Sequence, residues 1–107
     1  DLKDSDITPF TQISTLSIFK GPEFNGSTLQ FLPRLTSLDL TFIGELSPES
    51  IAPLTNLRSL SLSMVRGDFT NESFSTLTSL TRLIARYLKV DSGVKAFLPN
   101  LQYFLRW

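Results

Sequence analysis

The chain has 107 residues, of which 41% are hydrophobic and 19% charged, and its ten acidic residues balance its ten basic ones. This length and composition fit one folded domain, and a net charge of zero provides no long-range attraction to nucleic acid. Because cysteine and histidine are both absent, the usual thiol nucleophiles, general bases and zinc ligands are excluded, and we expect no catalytic residue, no cofactor and no bound metal.

One apolar pattern recurs from the first residues to the last. The residues at its opening position are Phe10, Leu32, Leu54, Leu77 and Leu98. Successive opening residues are 22, 22, 23 and 21 residues apart. Further apolar residues follow three, six and eight positions later, as Leu35, Leu38 and Leu40 do in the second unit. Self-similarity at this period is typical of a solenoid, in which each unit buries its apolar side against its neighbours. We therefore predict a single domain over residues 1–107, built from four to five repeats.

Each unit begins with a predicted strand. The apolar residues six and eight positions after the opening residue are separated by one polar residue, which indicates a strand with one buried face. Repetition once per unit predicts five parallel strands in one sheet. We also expect the five opening side chains to form one buried file.

The second half of each unit predicts a short helix of about two turns. Eight residues before each opening residue the chain has an apolar residue: Leu2, Phe24, Leu46, Phe69 or Val90. In four units the next residue is a preferred helix N-cap, namely Asn25, Ser47, Thr70 or Asp91. Pro48 then occupies the first helical position, where its missing N–H costs nothing.

The segments LPRLTSLDL, LTNLRSLSL, LTSLTRLIA and LPNLQYFLR resemble the leucine-rich repeat family over essentially the whole chain. The segments LSPESIAPL, FTNESFSTL and VDSGVKAFL are similar to the ribonuclease-inhibitor-like or cysteine-containing subclasses, without the cysteines. The resemblance implies an α/β fold, a right-handed leucine-rich-repeat solenoid with a parallel sheet on the concave side and short helices on the convex side. The asparagine that the family carries after the strand is replaced here by Gly21, Ile43, Val65 and Leu88.

The candidate binding residues lie on the concave rows of the predicted strands. The two middle rows are small and hydroxylic, whereas the last two concentrate Arg, Tyr and Trp, which are enriched at binding hot spots. The predicted partner-binding residues are Arg82, Ile84, Arg86, Tyr87, Tyr103, Leu105, Trp107, Asp39 and Phe19. Two alternatives remain open: Arg82 and Arg86 could form a solvated face, and following repeats could cover Leu105 and Trp107.

Recognition of a partner protein or peptide on the concave surface is the function that this pattern favours. One alternative is a structural spacer within a larger receptor or adaptor, and another is the substrate-selecting arm of a multi-domain ubiquitin ligase or immune receptor. The ends have no polar caps, so we expect a fragment of a longer array, and the last strand exposes an edge that could allow end-to-end self-association. No apolar run is long enough for membrane insertion, and the lack of cysteine and of a visible leader favours an intracellular location.

Overall fold

The computed structural model describes residues 3–7 and 9–106. Within these residues, five strands form one parallel sheet in which the strands are neighbours in chain order. The strands are β1 (Thr15–Gly21), β2 (Ser37–Glu45), β3 (Ser59–Arg66), β4 (Arg82–Arg86) and β5 (Tyr103–Arg106). Helical turns lie between them, so the predicted α/β solenoid with a parallel sheet is confirmed.

The register of the sheet follows the repeat. Leu38 of β2 is opposite Leu16 of β1 and Leu60 of β3, so equivalent leucines are stacked through the core. Ahead of the strands, the Arg58 N–H donates to the Thr36 carbonyl at 2.8 Å, and each neighbouring pair of units repeats this bond. Buried apolar side chains and a continuous backbone ladder therefore fix the spacing of the strands.

The expected file of opening residues is correct for four units and wrong for the first. The side chains of Leu32, Leu54, Leu77 and Leu98 are at most 2% exposed, whereas Phe10 is 55% exposed. These four leucines belong to the buried core cluster, which does not include Phe10. Ile7, three residues before Phe10 and equivalent to Leu29 and Ile51 in the following units, is buried.

The helical segments are single turns rather than the expected two. They span Asp4–Ile7, Leu29–Phe31, Pro48–Ile51, Asn71–Phe74 and Ser92–Ala96, and three of the five are of the tighter 3₁₀ type. The difference has a geometric reason, because a unit of about 22 residues with a long strand leaves few residues for a helix. In the second unit Pro53 also prevents continuation beyond Ala52. None of the helices in residues 3–7 and 9–106 has the length and apolar character needed to cross a membrane.

The predicted caps are largely confirmed. Ser47 Oγ accepts from the Glu49 N–H at 3.3 Å ahead of Pro48, and Asp91 Oδ1 accepts from the Gly93 N–H at 2.8 Å. Thr70 is the N-cap of its turn, as predicted. Asn25 is different: its Oδ1 accepts from the Ser27 N–H, and the residue before the helical turn is Thr28.

In each of the first four strand regions, the alternation of buried and exposed side chains ends at a residue with left-handed backbone conformation. Lys20, Phe42, Met64 and Tyr87 have φ between 56° and 64°, and each lies ten residues after the opening residue of its unit. An L-residue rarely adopts this conformation, because its Cβ crowds the following carbonyl. Its effect is to turn two consecutive side chains away from the core and to return the next one to the core, where Ile43 and Val65 are buried. The apolar replacement of the family's asparagine therefore packs inward.

Candidate functional site

The open face of the sheet, formed by strand side chains that point away from the core, has a small-residue centre. This face corresponds to the concave rows of the sequence analysis. Ser59, Ser61 and Ser63 lie along β3 and Ser37 lies on β2, and all four are half-buried. Larger side chains stand on both sides of this centre, so the face is divided into two clusters.

The first cluster lies on β4 and β5. Arg82 and Tyr103 are opposite each other in the register, and the guanidinium carbon of Arg82 is 5.3 Å from the centroid of the Tyr103 ring. Both side chains are exposed, as is Tyr87 just after β4. A cation–π contact at an exposed site contributes about 0.5–1 kcal/mol, enough to favour one orientation of a mobile arginine. The cluster therefore presents an ordered aromatic and cationic surface.

Several predicted site residues lie elsewhere or are less accessible. Ile84 was expected to be exposed, but it is only 9% exposed, because Arg82, Arg86 and the residues of β3 and β5 flank it in the sheet. Leu105 and Arg86 are half-buried. Trp107 lies outside the described residues.

Asp39 and Phe19 do not join the first cluster. Asp39 is exposed on β2, where its Oδ1 accepts from the Thr41 hydroxyl at 3.4 Å. Phe19 is on β1, three strands from β4, which corresponds to about 14 Å at the usual strand spacing. The structure thus separates residues that the sequence analysis placed in one predicted surface.

Phe19 belongs to a second cluster with a neighbour that the sequence analysis missed. The rings of Phe19 and Phe42 meet edge to face with their centroids 5.4 Å apart. The Lys20 ammonium nitrogen is 5.7 Å from the centroid of the Phe19 ring. Edge-to-face pairs contribute about 0.5–1.5 kcal/mol beyond the area that they bury, so the two rings hold each other in place.

Together with Met64 and Tyr87, these two phenylalanines form a line across the ends of four strands, which we name the apolar ridge. Its residues are Phe19, Phe42, Met64 and Tyr87, and all four side chains are exposed. The sequence analysis missed Phe42 and Met64, because strict alternation after Leu40 and Leu62 places them in the core. A signal was present, since Ile43 and Val65 supply a second apolar residue directly after Phe42 and Met64, at a position that strict alternation places in solvent.

Among the described residues, the two carboxyl groups with a clearly lowered pKa lie on the helix side. The pKa of Asp91 is lowered chiefly by the side-chain amide of Asn71, whose Nδ2 donates to Asp91 Oδ1 at 2.7 Å. The pKa of Glu49 is lowered chiefly by the Ser47 hydroxyl, which donates to its carboxylate. Both bonds belong to helix starts, so these shifts reflect capping. In the part of the chain that the structure describes, no group of three or more acidic side chains could hold a metal ion.

Comparison with known proteins identifies the fold. No protein-family model and no curated protein matches the sequence. Among solved structures, the chain is similar to internalin C2 from Listeria monocytogenes, a leucine-rich-repeat protein, with a TM-score of 0.58 and 24% sequence identity. The alignment covers 96% of this chain and 54% of internalin C2, so the chain spans about half the length of that protein. The five parallel strands and this similarity show a leucine-rich-repeat fold.

Proposed function

We propose that this leucine-rich-repeat chain is a protein-recognition module that binds a partner protein or peptide on the open face of its sheet. The observation that carries the proposal is the exposed pair of Arg82 and Tyr103, ordered by their contact on adjacent strands. Arginine and tyrosine are among the residues that most often dominate protein interfaces. Since the hydrogen-bonded sheet already holds them, binding costs little conformational entropy.

A protein partner fits the open face better than a nucleic acid. The chain has no net charge, and its open face combines arginine and aromatic side chains with hydroxyl groups. Nucleic-acid binding usually requires a broad basic surface that neutralises several phosphates. The mixture on this chain is instead typical of a protein interface with a few anchors.

A structural spacer is the second candidate, favoured by the small centre of the open face. Ser37, Ser59, Ser61 and Ser63 offer little apolar area and no charge. In that case the middle repeats would only hold other parts of a larger protein at a fixed distance. The two candidates differ in whether the isolated chain binds any protein.

Affinity capture with matched variants tests the proposal. The immobilised chain, the double variant Arg82→Ala/Arg86→Ala and the control Arg34→Ala are each exposed to an extract of the organism that encodes the protein. Arg34 is an exposed arginine outside the strands. Bound proteins are quantified by mass spectrometry, and the thermal midpoint of each variant is measured to confirm folding.

We expect at least one protein to be retained by the wild type and by Arg34→Ala and to fall about tenfold or more with the double variant, the effect of losing a hot-spot residue. Equal capture by all three chains would exclude the arginine cluster as the binding surface. If no protein is retained specifically by the wild type, the result favours the spacer.

A further inference from the structure

The apolar ridge of Phe19, Phe42, Met64 and Tyr87 crosses the ends of strands β1 to β4, beside the arginine and tyrosine cluster. We infer that this ridge binds a single acidic amphipathic helix of a partner protein. The inference rests on the proposed function, and it specifies both where the partner binds and what kind of element it presents.

Backbone strain is the first observation that points to the ridge. Phe42, Met64 and Tyr87 have φ of 56°, 56° and 64°, a conformation that costs a bulky L-residue about 1 kcal/mol or more. The left-handed kink is needed to return the following residue to the core, but glycine or asparagine would make the same kink with less strain. Large apolar side chains at these exposed positions therefore serve the surface rather than the fold.

The exposed area of the ridge fits one small element. Phe19, Phe42, Met64 and Tyr87 are 64%, 43%, 45% and 61% exposed. With about 200 Å² for each fully exposed residue, the ridge presents roughly 400 Å². Patches of this size on a monomer are often functional. The area is about half of the roughly 800 Å² that each partner buries in a standard protein interface. A single helix fits this area better than a second folded copy of the chain.

The spacing of the ridge favours a helix over an extended segment. Phe42, Met64 and Tyr87 are at equivalent positions of adjacent units, so they are about 4.8 Å apart along the ridge. Phe19 is opposite Thr41, one residue before that position, and its ring contacts Phe42. One turn of an α-helix advances about 5.4 Å, whereas side chains on the same face of an extended chain are about 6.8 Å apart. Apolar residues on three turns of a helix, which span about 16 Å, can therefore contact four consecutive strands.

The charges next to the ridge favour an acidic partner. Every charged residue within two positions of a ridge residue along the chain is basic: Lys20, Arg66, Arg86 and Lys89. The Lys20 ammonium group also lies over the Phe19 ring, within the ridge itself. An apolar helix face flanked by aspartate or glutamate would gain attraction from these basic groups, whereas a basic helix would be repelled.

The test uses a library of random 16-residue peptides displayed on phage and selected against the full 107-residue chain. The strongest selected peptides are synthesised, and their dissociation constants are measured for the wild type and for Phe42→Asn/Met64→Asn. Asparagine tolerates the left-handed backbone, so this variant is expected to fold, and its thermal midpoint is checked. The matched control is Phe31→Asn, which removes a phenylalanine that is 56% exposed at the end of the helical turn Leu29–Phe31.

We expect selected peptides with apolar residues three and four positions apart, flanked by acidic residues. Their affinity should fall at least about tenfold with the double variant and stay unchanged with Phe31→Asn. Peptides that are basic, or that alternate apolar and polar residues as a strand does, would overturn the inference.

Two further outcomes distinguish this inference from the proposed function. If the selected peptides bind Phe42→Asn/Met64→Asn as tightly as the wild type but do not bind Arg82→Glu, the ridge is not the binding site. Recognition on the open face would still be supported. A selection that enriches no peptide above an unrelated immobilised protein would contradict both.

Discussion

The left-handed kink at Met64 determines which of the two neighbours Met64 and Val65 is buried. Strict alternation after Leu60 and Leu62 would place Met64 in the core and Val65 in solvent. The structure has the reverse, with Met64 45% exposed at φ 56° and Val65 7% exposed. We therefore predict that Val65→Asn destabilises the chain far more than Met64→Asn.

The expected free energies of unfolding differ by several kcal/mol. Val65→Asn loses the burial of a valine, about 1.5–3 kcal/mol, and leaves a buried amide without a partner, about 1–3 kcal/mol. Its total cost is therefore about 2.5–6 kcal/mol. Met64→Asn loses only part of a half-exposed side chain, and asparagine accepts the left-handed backbone more readily, so the net change stays within about 1 kcal/mol.

Urea unfolding followed by circular dichroism measures both variants against the wild type. In a domain of this size each kcal/mol shifts the thermal midpoint by about 4–8 °C, so the two variants should also be clearly separated on heating. Each substitution is the control for the other, because both introduce asparagine into the same strand. A Met64→Asn variant that is as unstable as Val65→Asn, or less stable, would refute the inward return of the chain after the kink.

Two further predictions concern the contacts between repeats. Gly44→Ala should lower the free energy of unfolding by about 1–3 kcal/mol, because its new Cβ would overlap the backbone carbonyl of Pro22 in the preceding unit, and an unchanged urea midpoint would exclude that close approach. The lowered pKa of Asp91 means that its bond with Asn71 stabilises the fold above the pKa of the unfolded chain, and that this contribution is lost as the pH falls below about 4. Urea midpoints measured from neutral to acidic pH should therefore decline less steeply for Asn71→Ala than for the wild type, and parallel curves would argue against the pair.

The parallel sheet and its register could be predicted from the sequence, because stacked repeats bury equivalent residues. Leu38 and Leu60 are opposite each other in the sheet because each is six residues after an opening leucine. A pattern with a period near 22 residues can bury all its leucines together only if every unit follows the same path. Strand order and the buried columns follow directly from that requirement.

Features that depend on backbone conformation or on neighbours in space could not be predicted from the sequence. The kink at Phe42 lacks its usual residue signature, since the position carries neither glycine nor asparagine, the residues that most often adopt a left-handed conformation. Ile84 has the alternation of an exposed residue, but it is only 9% exposed between its register neighbours Ser61 and Leu105 on the adjacent strands. Helix length was overestimated for a similar reason, because capping residues such as Ser47 predict a start and not an end.

The most direct test of recognition on the open face is a map of backbone amide chemical shifts for the isotope-labelled chain, with and without the strongest selected peptide. We predict that the largest changes lie on the open face and the apolar ridge, at Phe42, Met64 and Tyr87 and the strand residues beside them. Changes confined to the helical turns Pro48–Ile51 and Asn71–Phe74 on the opposite side would contradict the account.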